Sequence, residues 1–273
     1  MDIATAKPTT DQLAAAPHHC LDLIDPDERF TASDYQHYAH VALAGIARRG
    51  GLALLAGGTG LYLRAVARGM PLGRGDADAD TRAALEARYE DGGLEPLVAE
   101  LCERDPAGAA TVDTRNPRRV IRALERAIVS GSATPPPPVG YPAPVRWLSL
   151  VRERTDHRRA IAQRIDEQFE AGLLAEAERL RGRFGEDLPA FSAMGYREAF
   201  DVLAGRCDVA EAKARDARRS WAYARRQLTW FRSEPGITPI PAGEGALAAA
   251  RSTVTTFLRE VAAADYAGAD ESH

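Results

Sequence analysis

Lysine is nearly missing from this chain. Of 35 basic residues only Lys7 and Lys213 are lysines, and the rest are arginines, whose planar fork suits phosphate. A compositional bias toward arginine explains most of that total but not its clustering. Cysteine is as scarce: Cys20, Cys102 and Cys207 are widely spaced, odd in number and in no metal-like pairing, so they read as reduced thiols. No apolar run is long enough to cross a bilayer and no basic–apolar leader pattern occurs, so no membrane partner and a cytoplasmic location are expected. What remains is ordinary for a globular protein, with 45% hydrophobic and 27% charged residues. A length of 273 residues suffices for one large domain or two modest ones.

The net charge of −4 argues weakly against a nucleic-acid partner, but the charges are segregated. Residues 213–232 carry seven basic groups and one acid, and residues 115–126 carry five arginines and one glutamate. Residues 76–105 hold ten acids against three arginines. Such a chain can bind a polyanion while its net charge stays negative.

Leu52–Leu63 is the most informative stretch. A short apolar run, Leu52–Ala56, stops at Gly57-Gly58, passes Thr59-Gly60 and restarts with helical spacing at Leu61, Ala65 and Val66. The pattern predicts a buried strand turning into a helix through a glycine corner, where bare N–H groups converge and an anion can sit beside the Thr59 hydroxyl. A tight turn whose glycines serve only their backbone angles is the equally open alternative.

Elsewhere Thr31-Ala-Ser-Asp34 reads as a capping box opening a helix that stops at Gly50-Gly51. From about residue 76 the chain turns helical and polar, with Leu85, Tyr89, Leu94, Leu97 and Leu101 on one side, then Val120, Ile121, Leu124 and Ile128 on the next helix. Pro135–Pro138 favours a stiff polyproline II spacer that closes this insertion. Val145–Val151 reads as a strand, followed by a long helix carrying Ile161, Ile165, Phe169 and Leu173 with Gly172 inside it. A last helical block from Val209 ends near Trp230-Phe231 before Pro235-Gly236. The rhythm is that of a parallel α/β domain. The expected divisions are 1–75 (core, first part), 76–140 (helical insertion), 141–260 (core, second part, with C-terminal helices) and 261–273 (flexible tail).

Tyr223–Arg232 alternates guanidinium groups with large aromatics, which suits single-stranded nucleic acid; an ordinary amphipathic helix with Leu228, Trp230 and Phe231 inward is the alternative. Arg118, Arg119 and Arg122 share a face as a phosphate-binding edge or as a solvated helix side. Pro17-His18-His19 lacks further ligands at metal spacing, so a structural or orienting role is the plainer reading. In Phe191–Arg197, Gly195 permits close backbone approach while Tyr196 and Arg197 offer a ring and a charge.

Together the strings Met1–Pro8, Pro17–His19, Gly57–Tyr62, Arg118–Glu125, Met194–Arg197 and Arg226–Arg232, in this order, resemble the tRNA dimethylallyltransferase (tRNA isopentenyltransferase) family over residues 1 to about 232. The resemblance implies an α/β fold with a parallel-sheet core like that of P-loop nucleotide-binding proteins, and a helical insertion that closes on tRNA. It implies transfer of a dimethylallyl group from dimethylallyl diphosphate, with Mg²⁺, to N6 of the adenosine 3′ of the anticodon, by a monomer acting on the tRNA anticodon stem-loop. By carry-over Thr59 lies in the reaction channel, with Gly57, Gly58 and Gly60 near the diphosphate. Arg82, Arg118, Arg119, Val120, Ile121 and Arg122 would touch tRNA. So would Ser192, Ala193, Met194, Gly195, Tyr196 and Arg197, and Arg225, Arg226, Gln227, Thr229, Trp230, Phe231 and Arg232.

The family's first strand, its G-x-x-x-x-G-K-[ST] phosphate loop and an Asp-Ser-x-Gln segment holding the general-base aspartate stand upstream of what is Met1 here, and none occurs in this sequence. Ala4 stands where the family usually has glycine. The resemblance thus leads to the expectation of an N-terminally truncated enzyme with impaired transfer. A non-catalytic tRNA-binding remnant and transfer to a free adenine nucleotide stay open, the retained arginine-rich segments favouring a polynucleotide acceptor.

Overall fold

The computed structural model describes residues 1–72 and 78–270. In chain order the elements are α1 (Thr10–Ala15), α2 (Ala32–Arg48), α3 (Gly60–Ala67), α4 (Ala79–Gly92), α5 (Glu95–Arg104), α6 (Pro106–Ala109) and α7 (Pro117–Ser130). Strand β1 (Trp147–Val151) follows, then α8 (Arg154–Glu170), α9 (Leu173–Phe184), α10 (Tyr196–Leu203), α11 (Val209–Arg232), β2 (Ile237–Pro241) and α12 (Ala246–Asp270). They group into two compact units, one from residues 1–30, 38–60 and 142–273, the other from 31–37 and 61–141.

The second unit is helical. Leu85 of α4, Leu97 and Leu101 of α5, and Val120, Ile121 and Leu124 of α7 form one buried cluster. Helix α7 starts where a start is written: the Asn116 side chain accepts from the Arg119 N–H, and Pro117 follows at the first helical position, where its missing donor costs nothing. It stops at Gly131, whose φ of 78° only glycine adopts cheaply. Buried within is a carboxylate, Glu125, held by a fork from Arg82 (Nη2 to Oε1, 2.8 Å) and by Arg122 (2.9 Å).

The other unit holds the sheet. Strands β1 and β2 pair in parallel, Trp147 opposite Ile237 and Val151 opposite Pro241. Helix α12 adjoins β2, with Arg146 paired to Glu260 at 2.6 Å and lying over the Phe257 ring. Helices α8 to α11 pack around Leu173, Ala177, Phe191, Tyr196 and Phe200. Among the described residues no helix is long and apolar enough to cross a membrane.

Several expectations need correction. Leu52–Ala56 is not a buried strand: it has no strand geometry, and Leu54 is 88% exposed. A strand needs a hydrogen-bonded neighbour as well as apolar composition, and no described segment pairs with it. Gly172 does not sit inside a helix; at φ 95° it ends α8 and starts α9. β2 was not foreseen; it contains Pro239 and Pro241, which cannot donate to a ladder but are tolerated at a sheet edge.

The division expected at residues 75 and 76 falls on 73–77, outside the described residues. Residues 61–72 cluster with the helical unit, because Gln36 Nε2 donates to the carbonyls of Ala65 and Met70 (2.9 Å) and Tyr35 stacks on Tyr62 at 4.8 Å. The tail expected from residue 261 is helix as far as Asp270, in an alanine-rich stretch of high helix propensity; residues 271–273 lie outside the described residues.

If Glu125 depends on Arg82, Arg82→Ala should lower unfolding free energy by about 3 kcal/mol, the low end for a broken buried pair because Arg122 still reaches the carboxylate. Chemical denaturation measures this. An unchanged midpoint would mean that the pair contributes nothing to the fold.

Candidate functional site

The glycine corner is built against helix α11. Gly58, Thr59 and Gly60 meet Tyr223, Gln227 and Trp230, which the spacing i, i+4, i+7 puts on one face of that helix. Gln227 Nε2 donates to the Gly58 carbonyl at 2.9 Å. The Thr59 and Tyr223 hydroxyls lie 3.3 Å apart, either able to donate. A Cβ at Gly58 would overlap the Gln227 amide, and one at Gly60 would enter the Trp230 indole. These glycines are therefore needed for close approach. None of Gly57, Gly58 and Gly60 has positive φ, so the backbone-angle explanation fails. The room beside Gly58 and Gly60 is filled by protein, while Gly57 and the Thr59 side are exposed.

The sequence pattern named Thr59, Gln227 and Trp230 as site residues and placed Tyr223 in the arginine/aromatic segment, but gave Tyr223 no role beside Thr59. Arg225, Arg226, Thr229 and Arg232 are exposed on the same helix, with Phe231 partly so and edge-on to Trp230 at 4.9 Å. Arg226 lies 5.6 Å over the Tyr223 ring.

The Ser192–Arg197 segment is clamped from below. Arg219 donates to the Ser192 carbonyl (2.8 Å) and to Glu198 (2.5 Å), and the other Glu198 oxygen accepts the Gly195 N–H at 3.0 Å. Gly195 has φ 84°, and a Cβ there would stand 2.7 Å from that of Ala4. Ser192 and Arg197 are exposed, and Ala193 and Met194 partly so. Tyr196 offers no stacking surface: it is fully buried and its hydroxyl donates to Glu176 at 2.8 Å. Burial and the Glu176 carboxylate push the Tyr196 phenol pKa far up. Glu176 also accepts the Asp2 N–H (2.6 Å) and Ile3 N–H (3.1 Å), fixing the Met1–Pro8 segment. Beneath lies Asp216, whose pKa burial, with the nearby Glu198 charge, pushes up to about 6 against the Ser220 hydrogen bond.

In the helical unit Arg118 and Arg119 stand exposed in the first turn of α7. Cations there oppose the helix dipole, so helix stability does not explain them. Arg118 lines an open depression of about 800 Å³ together with Tyr89, Asp113, Arg115, Asn116 and Pro117. Val120 and Ile121 are core residues, so their side chains are closed to RNA. Arg122 and Arg82 are committed to Glu125. His18 Nδ1 lies 2.8 Å from the Ala16 carbonyl, a local turn contact. Among the described residues no three His, Cys, Asp or Glu side chains group as a metal site, whereas Mg²⁺ is commonly held through one or two carboxylates and the phosphates of its substrate.

A model of the family described as IPP transferase matches residues 1–234. The tRNA dimethylallyltransferase of Roseiflexus sp. (strain RS-1) is 43% identical over 262 residues, 93% of this chain and 84% of that protein. The solved full-length tRNA isopentenylpyrophosphate transferase of Bacillus halodurans is 36% identical at a TM-score of 0.70, over 97% of this chain and 86% of that one. A eukaryotic dimethylallyltransferase acting on tRNA, 20% identical, shares the fold at a TM-score of 0.74, over 89% of this chain and 64% of that one.

Asp216 sets a pH dependence of unusual sign. Its folded pKa lies above the unfolded value of 3.8, so the folded chain holds a proton that the unfolded chain releases. Its contribution to stability should therefore rise as pH falls through about 6 and level off below about 4. Asp216→Asn should stabilise the protein by roughly 2 kcal/mol at pH 8 and by nothing at pH 4. Thermal melts of both proteins across that range measure it, and a pH-independent difference would contradict the assignment.

Proposed function

We propose that this chain, which belongs to the IPP transferase family, transfers a dimethylallyl group from dimethylallyl diphosphate to N6 of the tRNA adenosine immediately 3′ of the anticodon. The observation that carries this reading is the junction of Thr59 with α11. An exposed hydroxyl stands 3.3 Å from the Tyr223 hydroxyl, on the helix that also presents Arg225, Arg226 and Arg232.

The acceptor amine is unreachable inside a stacked anticodon arm, so the nucleotide has to leave the stack for a pocket. The N6 lone pair then attacks C1 of the allyl group, the C1–O bond breaks, and the diphosphate departs with the bonding electrons. N6 gives up one proton to a base, which none of the described residues is assigned to be. In this reading Thr59 accepts a hydrogen bond from the N6 amine and so aims its lone pair, while Tyr223 sets the direction of the Thr59 hydroxyl. Backbone N–H groups at the corner around Gly57 face the diphosphate charge that develops. The magnesium expected from the resemblance is proposed to arrive with the diphosphate, and no step here runs through it.

The arginines supply a sequence-independent grip. Arg118 and Arg119, Arg197, and Arg225, Arg226 and Arg232 neutralise phosphates, and Trp230 and Phe231 offer ring surface to bases. A second reading, tRNA binding without transfer, draws on the same exposed arginines of α7 and α11. Incubating the chain with tRNA and labelled dimethylallyl diphosphate separates the two. Label on tRNA supports transfer, and binding without label supports the second reading.

Two variants test the assigned roles. Thr59→Ala should cut transfer by about 10²-fold or more with little change in melting temperature, since an orienting contact acts through geometry; parallel loss of stability and activity would make Thr59 a packing residue. Replacing Arg118 and Arg119 together with alanine should weaken tRNA binding about tenfold and flatten its salt dependence by about two counterions. Unchanged affinity in a folded variant would remove α7 from the interface.

A further inference from the structure

We propose a second contact surface for the RNA sugar–phosphate backbone where α8 meets α11, built from Arg154 and Arg158 on the Trp221 ring and continued by Arg218 and Arg225. It rests on the tRNA reading above. The Arg158 guanidinium lies 4.7 Å from the Trp221 centroid and that of Arg154 lies 5.8 Å away. His157 meets the same ring edge-on at 5.7 Å, its Nδ1 enclosed with no hydrogen-bond partner.

The nearby acids are already committed. Glu153 accepts the N–H groups of Thr155 and Asp156, and Asp156 pairs with Arg159. Neither Arg154 nor Arg158 forms an ion pair among the described residues, and both are exposed. A guanidinium lying over an aromatic face keeps its N–H edge available for an oxyanion. Arg154, in the first turn of α8, opposes the helix dipole, so helix stability gives no reason for it.

Continuity with the proposed tRNA surface identifies the occupant. Lys213 pairs with Asp166 and lies over Phe169 near the end of α8, whereas Arg154 and Arg158 at its start meet Trp221. The two helices therefore run antiparallel, and the start of α8 lies beside the half of α11 that leads to Tyr223 and the arginines after it. Arg218, Trp221 and Arg225 follow one another at three/four spacing on α11. The cations thus form a track along one side of α11, which suits a polyphosphate backbone read without regard to sequence.

Filter binding of tRNA across a salt series tests this with the full chain. Arg154→Ala with Arg158→Ala should weaken binding about tenfold near 100 mM salt and make the slope of log affinity against log salt shallower by about two. Arg154→Lys with Arg158→Lys should keep the slope, because counterion release follows charge. If the alanine variant is unfolded by circular dichroism, Arg154→Gln with Arg158→Gln carries the same expectations.

A folded alanine or glutamine variant with unchanged affinity and slope overturns the surface. If the Arg118/Arg119 double-alanine variant is weakened in the same series, the tRNA reading still stands. A lysine variant as weak as the alanine variant also overturns it, since the arginines would then act by packing on Trp221. Failure of the unsubstituted chain to bind tRNA at all overturns both readings.

Discussion

Helix α11 can lie against the 57–60 corner only because positions 58 and 60 carry no side chain. Any Cβ there would displace Gln227 or Trp230, and with them the face that brings Tyr223 to Thr59. The same helix packs on α8 and α10, caps the 192–195 turn through Arg219 and carries the arginine row. One close helix-to-backbone approach therefore sets the position of the glycine corner relative to the rest of its unit.

Buried carboxylates organise what surrounds that contact. Glu176 gathers two N–H groups near the chain start and the Tyr196 hydroxyl; Glu198 ties Gly195 to Arg219; Glu125 joins α4 to α7 through Arg82 and Arg122. In each, a charge that would be costly to bury is matched by several donors. Asp216 is the exception, with Ser220 as its close partner and a raised pKa as the consequence. These anchors divide the arginines into two populations. Arg82, Arg122 and Arg219 are spent on the fold, whereas Arg118, Arg225, Arg226 and Arg232 stay exposed along helices. Net charge says nothing about that division, which explains how a chain of charge −4 presents cationic helix faces.

Much of the local structure was legible beforehand. Thr31 and Asp34 exchange hydrogen bonds at the start of α2, and the apolar spacing of α4, α5 and α7 builds their common core. Caps and helix periodicity depend on neighbours within a few residues, so the string carries them. The family, too, was readable from six ordered motifs, and with it the α/β class; the family match over residues 1–234 agrees.

Contacts between distant segments were not readable. Glycine at 58 and 60 suggested backbone freedom, and only the packing of a helix more than 160 residues later reveals close approach as the reason. The aromatic of Met194–Arg197 looked like a stacking ring until Glu176 claimed its hydroxyl, and Arg82 looked available for RNA until Glu125 claimed its fork. Leu52–Ala56 has strand composition but no strand partner among the described residues, while Ile237–Pro241 has prolines and a partner, and the partner decided both. The sequence by itself determined the helices, their caps and the family. The tertiary structure alone decided which charges are spent, which glycines are spacers and which apolar runs pair, because hydrogen bonds and burial across long separations depend on where the chain returns.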